Sequence, residues 1–335
     1  MAQVLILGGT RNLGHVTALS LLESGHDVAI LNRGRTPDEL PAEIERIRAD
    51  REDESTMRSA IGSRSFDLVL DNTTYTKADA LQAVKIFRAR VGRYVFISSG
   101  QVYLVRENLS RPFREADYAG TVMPEPPRDS ADHASWLYGV DKRNAEEVFK
   151  AAAKDSQFPV TVLRLPMVAS ERDHYGRIQA YIARILDGGP LLLPAERGLP
   201  LRHVYVGDVA RLVTGLASND AGIGEAYNVS CGESVTLEEF IELLSRTLER
   251  TPQIIRAPRA TLDSAKLLPD CSPFSGRWMS ELDNTESIRA LTSVGLRYSP
   301  PADYLPAIAE DYVARWIANG KVPDGYGQRT AELTF

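Results

Sequence analysis

The chain opens with Gln3-Val-Leu-Ile-Leu-Gly-Gly-Thr-Arg-Asn-Leu-Gly14, in which a short apolar run enters a turn rich in glycine. A segment of helical period follows over Leu13–Ser24. Glycines let the chain turn tightly, and the start of the next helix directs backbone N–H groups outward, where they can bind a pyrophosphate. The pattern predicts a dinucleotide-binding turn, with cofactor contacts from Gly8, Thr10, Arg11, Asn12, Leu13 and Gly14.

Outward from this turn, the first half of the chain alternates apolar runs with segments of helical period. The apolar runs are Val4–Leu7, Val28–Leu31, Leu68–Leu70, Tyr94–Ile97 and Val160–Leu165. This alternation is typical of βαβ units, whose right-handed crossovers bring the carboxyl ends of all strands to one edge of a parallel sheet. We therefore predict an α/β fold, a Rossmann-type doubly wound parallel sheet, with Gly8, Asn32, Asn72 and Ser99 converging at that edge.

The second half is less regular and is punctuated by glycine and proline, as in Gly188-Gly-Pro190. It predicts a smaller α/β C-terminal substrate domain. We expect a dinucleotide-binding domain over residues 1–166, to which parts of 200–230 return, and a mainly substrate-binding domain over residues 167–335. Helical period also marks Val206–Val213 and Leu237–Leu244, the latter preceded by Thr236 as a capping residue.

Composition narrows the class of protein. The 335 residues carry a net charge of -6 without long charged blocks, which argues against a surface for nucleic acid or anionic lipid. Cys231 and Cys271 form no disulfide framework, and neither these cysteines nor the five histidines show the spacing of a metal site, so we assign no metal. We find no membrane-spanning or signal-like segment and expect a soluble, unprocessed cytoplasmic protein.

The end of the second predicted strand bears on the choice of cofactor. It reads Ile30-Leu-Asn-Arg-Gly-Arg35 and lacks the carboxylate with which NAD enzymes usually bind the ribose hydroxyls. Asn32 and Arg33 can instead receive a 2′-phosphate, because guanidinium groups form forked hydrogen bonds to phosphate oxygens. We therefore expect NADP in preference to NAD, and the alternative is a solvated turn.

Further cofactor contacts are expected from the loops after the next two strands. Asp50, followed by Arg51, comes after the predicted strand Ile47-Arg48-Ala49 and can accept from the adenine amino group. Thr73 and Thr74 follow Leu68–Asp71 and are expected to line the far side of the cofactor. Solvated loop positions are the alternative for these residues.

Three residues predict hydride-transfer chemistry. Tyr138 and Lys142 lie four apart, so on a helix both side chains share one face and the ammonium can lower the phenol's pKa from its ordinary value of about 10. Ser99 ends the strand Tyr94–Ile97 and can donate to a carbonyl oxygen with which Tyr138 exchanges a proton. Chance spacing is the alternative for each residue taken singly.

At this point the sequence resembles the extended short-chain dehydrogenase/reductases, the NAD-dependent epimerase/dehydratase family. The resemblance spans most of the chain and rests on Gly25–Leu31, Ser99 with Tyr103, Tyr138-Gly-Val-Asp-Lys142, Leu163-Arg164, Val206–Ala210, Ala226–Ser230 and Asp283–Gly295. It implies the catalytic roles of Ser99, Tyr138 and Lys142, and a homodimer through the helix of Tyr138 and the helix Lys77–Ala89. The Gly-Gly-Thr-Arg opening and Asn32-Arg-Gly34 look most like a branch that includes chloroplast stem-loop-binding proteins.

Departures from the family pattern narrow the reaction. Sugar-nucleotide 4,6-dehydratases place acidic residues where this chain has Gly100 and Gln101, so the expectation is a 4-epimerase or a ketoreductase acting on a nucleotide sugar. Met167 replaces a familiar Asn, and an expected Arg is displaced to Arg202. The residues that remain as substrate candidates are Gln101, Met167, Arg177, Arg202 and Arg277.

Two other functions stay open. One is an RNA-binding protein built on this fold, which the stem-loop-binding relatives suggest and the acidic net charge opposes. The other is a regulator that binds the nucleotide without turnover, which the intact Ser99, Tyr138 and Lys142 oppose.

Overall fold

A computed structural model describes residues 1–154, 158–319 and 329–335. Its strands, in chain order, are β1 (Gln3–Leu7), β2 (Asp27–Asn32), β3 (Glu45–Arg48), β4 (Phe66–Asp71), β5 (Val91–Ser99), β6 (Val160–Leu165), β7 (Val168–Ala169), β8 (Pro190–Pro194), β9 (Val204–Tyr205), β10 (Ala226–Asn228) and β11 (Gln253–Ala257). The helices are α1 (Asn12–Glu23), α2 (Glu54–Ile61), α3 (Lys77–Phe87), α4 (Gln101–Leu104), α5 (His133–Ala152), α6 (Arg177–Leu186), α7 (Val206–Leu216), α8 (Leu237–Thr247), α9 (Arg259–Ser264), α10 (Thr285–Leu291), α11 (Pro301–Asn319) and α12 (Arg329–Leu333).

The central sheet has seven strands in the order β3-β2-β1-β4-β5-β6-β10, and every neighbouring pair is parallel. β1 pairs with β2 on one side and with β4 on the other, so Leu7 lies opposite both Leu31 and Asp71. The strand order reverses at this point, which is where open α/β sheets bind ligands beyond the carboxyl ends of their strands. The predicted Rossmann-type doubly wound sheet is confirmed.

Both faces of this sheet are covered, as a parallel sheet requires. Alternate residues of each strand point to opposite faces, so that Val4 and Ile6 join one buried cluster while Leu5 and Leu7 join the other. The first cluster takes residues from α1 and α7, which pack on each other. The second takes residues from α2, α3 and α5.

A third core belongs to the smaller lobe, where β8 pairs with β11 in a separate two-stranded parallel sheet. Its centre is aromatic, with Tyr181, Phe240 and Phe274 packed on each other. The helix predicted after Thr236 is α8, and the Thr236 side chain closes a capping box with Glu239. The placement of domain boundaries stays a prediction, although α7 and β10 do lie on the seven-stranded sheet.

Within the described part of the chain, none of the helices combines the length and the apolar character that crossing a bilayer requires.

Candidate functional site

A cavity of about 890 Å³ lies at the carboxyl edge of the seven-stranded sheet. Gly8, Asn32, Asn72 and Ser99 all line it, so the predicted convergence of four strand ends is confirmed. The other predicted cofactor and catalytic residues that line it are Gly14, Thr10, Arg11, Asn12, Leu13, Arg33, Asp50, Arg51, Thr73 and Tyr138.

The glycine turn forms one wall of the cavity and depends on having no side chains. Gly9 has a φ of +96°, and a Cβ there would lie 2.6 Å from Cγ2 of Ile30 in β2. A Cβ at Gly14, in the first turn of α1, would lie 2.7 Å from both Cα and N of Gly9. The three glycines of the turn thus let α1 approach β1 closely enough for its N-terminus to face the cavity.

Unpaired buried polar atoms indicate that this wall fits a polar ligand. Oδ1 of Asn12, Nδ2 of Asn32 and both Nδ2 and Oδ1 of Asn72 are buried without a hydrogen-bond partner among the described residues. All three residues line the cavity. Buried polar groups nearly always find hydrogen-bond partners. These atoms are therefore suited to bind the donors and acceptors of a dinucleotide.

The end of β2 carries the cations that the sequence pointed to. Asn32 Oδ1 accepts from the backbone N of Gly34 at 2.7 Å and from Arg48, so its amide is held in place. Arg33 is half-exposed, and its Nη1 lies 4.0 Å from Oδ2 of Asp50. Arg11 reaches across to Thr36, with 3.4 Å between Nη2 and Oγ1. Arg33 and Arg11 therefore border this end of the cavity, each with weak protein partners, and Arg35 lines it as well.

Arg51 and the two threonines are arranged differently from the sequence-based prediction. Arg51 lies 3.1 Å from Oδ2 of the fully buried Asp71 and donates to Thr73 Oγ1 at 3.2 Å. The hydroxyl of Thr74 is buried and donates to Asp71 at 2.6 Å. Arg51 and Thr73 keep exposure to the cavity, whereas Thr74 does not line it. Thr74 is therefore not placed to line the cavity as predicted.

Tyr138 and Ser99 lie together at the other end of the cavity. Ser99 closes β5, and Tyr138 projects from α5, which packs beside it. Burial raises the pKa of Tyr138 to about 12, against a smaller opposing effect of its hydrogen bond with Ser99. The phenol is therefore a proton donor throughout the neutral range. The backbone N of Gln101 donates to the Ser99 hydroxyl at 3.2 Å.

Lys142 is buried one turn along α5, and its ammonium is bound by backbone oxygens. Nζ donates to the carbonyl of Thr74 at 2.6 Å and to that of Ile97 at 2.9 Å. It lies 5.8 Å from the ring centre of Tyr138, and burial lowers the pKa of Lys142 to about 8. The predicted lowering of the Tyr138 pKa is not seen in the protein alone, where burial of the phenol raises that pKa.

Beneath Ser99, a buried ion pair joins α5 to the sheet. Arg164 in β6 donates to both carboxylate oxygens of Glu146, with the shortest contact at 2.6 Å. Ser98 donates to the same carboxylate at 2.5 Å, and Arg164 reaches the Tyr103 hydroxyl at 2.7 Å. This network fixes the orientation of α5, and with it Tyr138, relative to β5. In the sequence, Arg164 and Tyr103 stood out only as parts of a family resemblance.

The predicted substrate residues are dispersed. Arg202 donates to the carbonyls of Leu282 and Gly232, at 2.9 and 2.7 Å, so its charge holds two loops together. Arg277 pairs with Asp132 at 3.1 Å and stacks on Trp278. Neither lines the cavity, and neither do Gln101, which begins α4, and Met167, which is buried in the core of the smaller lobe.

Arg177 does not line the cavity either, but its charge acts to lower the pKa of Tyr138, after the effects of burial, Ser99 and two tyrosines. Two further aromatic residues line the cavity and were not predicted. Tyr75 has its ring centre 6.4 Å from that of Tyr138, and His174 enters from the loop between β7 and α6. A lone exposed Tyr or His in a loop carries no periodic signal, so only the fold brings these to notice.

Comparison with known proteins identifies the family of the chain. The model of the NAD dependent epimerase/dehydratase family matches residues 4–230. The 2'-dehydrokanamycin reductase of Streptomyces kanamyceticus is 24% identical over 289 residues, which are 84% of this chain and 76% of the relative. The chloroplast stem-loop binding protein of 41 kDa b of Arabidopsis thaliana is 22% identical over 250 residues, 70% of this chain and 60% of the relative.

Among solved structures, UDP-glucose 4-epimerase of Thermotoga maritima with UDP-glucose has a TM-score of 0.70 at 20% identity, over 94% of this chain and 99% of that one. This likeness bears on the fold, and the family match covers well over half of the chain. The resemblance drawn from the motifs is confirmed. The chain belongs to the NAD dependent epimerase/dehydratase family and is an enzyme of the short-chain dehydrogenase/reductase type.

Proposed function

We propose that the protein is an NADP-dependent reductase of a carbonyl group on a nucleotide sugar, with a 4-epimerase as the second candidate. The observation that carries this proposal is that Ser99 and Tyr138 line the same cavity as the glycine turn. One cavity thus offers a dinucleotide cradle at one end and a serine–tyrosine pair at the other. The similarity to 2'-dehydrokanamycin reductase adds support for a reductase.

The residues of the chain divide the chemistry among them. Ser99 donates a hydrogen bond to the carbonyl oxygen, and Tyr138, protonated at neutral pH, transfers its proton to that oxygen as the alcohol forms. Solvent then returns a proton to the phenolate. A bound nicotinamide supplies the hydride. Lys142 lies close enough to stabilise the negative charge that develops on Tyr138 during this transfer.

A 4,6-dehydratase is disfavoured by packing as well as by residue type. Gly100 follows Ser99, and a Cβ at Gly100 would lie 2.3 Å from the Ser280 hydroxyl and 2.6 Å from its Cβ. A carboxylate side chain therefore has no room at this position while the segment around Ser280 stays where it is. Gln101 cannot exchange a proton at neutral pH, so the Ser99–Gln101 segment supplies no acid or base beyond the serine.

The choice of NADP rests on Arg33 and Arg11, which border the cavity beyond β2. We expect Arg33→Ala to weaken NADP binding at least fivefold and to leave NAD binding within twofold, measured by calorimetry. Arg64→Ala is the matched control, because Arg64 is a half-exposed guanidinium paired with Glu45 outside the cavity. Tighter binding of NAD than of NADP by the unaltered protein would contradict the proposal.

Turnover distinguishes reductase from epimerase. A reductase must exchange oxidised for reduced nucleotide at every cycle, whereas an epimerase returns its hydride and keeps the nucleotide. We would identify by mass spectrometry the nucleotide that copurifies, and then follow nicotinamide absorbance with keto-sugar nucleotides. Tyr138→Phe should lower kcat/KM by about 100-fold or more, with nucleotide affinity preserved, and Tyr227→Phe in β10 is the control.

The stem-loop-binding relative favours RNA binding as a different candidate. It predicts RNA affinity that falls steeply with salt and survives Tyr138→Phe. Nucleotide binding without turnover of any carbonyl or sugar nucleotide would instead favour a regulator.

We also propose a homodimer through α3 and α5, which pack side by side. Leu81 on α3 and Leu137 on α5 are large apolar side chains with exposures of 53% and 43%. A second pair of such helices would bury both. Sedimentation should show a dimer, and Leu81→Glu should shift it toward monomer.

A further inference from the structure

The loop between β7 and α6 presents an aromatic ring and a guanidinium beside the cavity. His174 of this loop lines the cavity, and the ring centre of Tyr175 is 4.1 Å from that of His174. Arg177 lies over the Tyr175 ring at 5.0 Å. Tyr175 is 69% exposed, and neither Tyr175 nor Arg177 lines the cavity, so the pair lies next to it through His174.

This loop is held by internal bonds, so the pair has a defined position. The buried carboxylate of Asp173 accepts from the backbone N of Tyr175 at 3.2 Å and from Nε of Arg177 at 3.3 Å. The backbone N of Gly176 donates to the Asp173 carbonyl at 3.1 Å. Gly176 has a φ of +63°, which glycine adopts without strain, and α6 begins at the next residue.

Arg177 keeps hydrogen-bonding capacity for a ligand. Only its Nε is used by Asp173, and its two Nη atoms make no hydrogen bond within residues 1–154, 158–319 and 329–335. A guanidinium with both Nη atoms available binds a carboxylate or a phosphate in a forked arrangement. Arg202 and Arg277, by contrast, already contact backbone carbonyls or Asp132.

A second exposed tyrosine lies beside the catalytic phenol. Tyr75, at the end of the loop after β4, is 51% exposed, and its ring lies 6.4 Å from that of Tyr138. Tyr75 and Tyr175 are near enough to influence each other electrostatically. Both phenols also act on the pKa of Tyr138, so they lie in the neighbourhood of the catalytic phenol.

We propose that Tyr175 and Arg177 form the substrate-anchoring pair of this enzyme, holding a ring against Tyr175 and an acidic group of the substrate on Arg177. The inference rests on the proposed function, because a carbonyl presented to Tyr138 is what such an anchor would position. The acidic group is a phosphate or a carboxylate, which a guanidinium binds in the same way.

The test measures binding, so that it does not depend on turnover. Calorimetry on the NADP⁺-loaded protein would compare UDP-glucose, which carries a diphosphate, with D-glucuronate, which carries a carboxylate, and with neutral D-glucose. The variants are Arg177→Gln, Tyr175→Ala and Tyr175→Phe. Arg277→Gln is a matched control, since Arg277 also stacks on an aromatic ring and pairs with a carboxylate, but neither Trp278 nor Asp132 lines the cavity or stacks on a residue that does.

We expect at least one anionic probe to bind more tightly than D-glucose, and to lose tenfold or more of its affinity in Arg177→Gln. Arg277→Gln should change that affinity by less than twofold, and Tyr175→Phe should retain what Tyr175→Ala loses. NADP⁺ affinity should be the same in all variants. The anionic probe that responds identifies the acidic group as phosphate or carboxylate.

Unchanged probe affinity in Arg177→Gln would overturn the inference, and so would an equal loss of NADP⁺ affinity, which would assign Arg177 to the cofactor. Failure of the proposed function has a different signature. In that case Arg177→Gln lowers probe binding while no carbonyl compound is turned over. If turnover occurs and its KM is the same in Arg177→Gln and in the unaltered protein, the proposed function stands and the anchoring pair does not.

Discussion

Replacing Gly14 by Ala tests whether the glycine turn binds the nucleotide. The added Cβ would lie 2.7 Å from Cα and N of Gly9, whereas ordinary carbon contacts are about 3.5–4.0 Å. The turn or the helix must therefore move by about 1 Å, and overpacking of this kind costs about 1–3 kcal/mol. Gly8 and Gly9 present no side chains that would hold the turn in place, so we expect the turn to shift in the free protein. The cost of the clash should then appear as a weaker affinity for the nucleotide.

Binding of the nucleotide requires the original conformation of the turn, so the bound state carries the energetic cost of the clash. At about 1.4 kcal/mol per tenfold change, the dissociation constant should rise by about 5- to 150-fold. Calorimetric titration with NADP and NAD measures this change, and urea unfolding measures the accompanying stability.

The control is Gly92→Ala, at the opposite end of β5 from the cavity, where a Cβ would lie 2.9 Å from the backbone oxygen of Asp67. This variant should lose stability and keep its nucleotide affinity. Should Gly14→Ala bind nucleotide within twofold of the unaltered protein while remaining folded, the glycine turn is not the pyrophosphate site.

Three further predictions concern the surroundings of the catalytic residues. Burial lowers the pKa of Lys142 from 10.5 to about 8, so between these values the unfolded chain binds more protons, and stability should rise with pH there; urea unfolding across that range should show a smaller rise in Lys142→Met. Glu146→Gln leaves the buried Arg164 without its counter-charge and should lower the free energy of unfolding by about 3–5 kcal/mol. The double variant Glu146→Met with Arg164→Met should be more stable than Glu146→Met or Arg164→Met alone, and equal or lower stability of the double variant would contradict this reasoning. Gly100→Ala should be destabilised through its clash with Ser280, and Gly100→Ala combined with Ser280→Gly should recover stability in thermal unfolding.

Local patterns sufficed to predict the sheet and the glycine wall. The alternation of apolar runs and helical period, and the Gly8–Gly14 spacing, depend on neighbours within a few residues. The convergence of Asn72 and Ser99 follows from strand direction alone, because parallel strands end at one edge.

Side-chain partners could not be predicted in the same way. Arg202 binds the carbonyls of Leu282 and Gly232, which lie 80 and 30 residues away in the chain. Thr74 was expected to face the cofactor, but the Thr74 hydroxyl is buried and donates a hydrogen bond to Asp71. These outcomes depend on contacts that no spacing in the sequence encodes.

The error over Tyr138 has a different cause. Helical spacing correctly placed Lys142 on the same side of α5, and charge alone would lower the phenol's pKa. Burial raises that pKa and is its largest cause, and the depth at which the phenol is enclosed could not be predicted from the sequence. The local geometry was predicted, whereas the balance between solvation and charge was not.

The strand β10 has a consequence for any attempt to divide the protein. It pairs with β6 along Ala226–Asn228, although the chain has meanwhile passed through β7, α6, β8 and β9. A fragment that stops at residue 166 would leave β6 as an unprotected edge strand, whose backbone donors and acceptors could pair with another chain. We expect such a fragment to aggregate, so the nucleotide-binding half is best studied within the intact polypeptide.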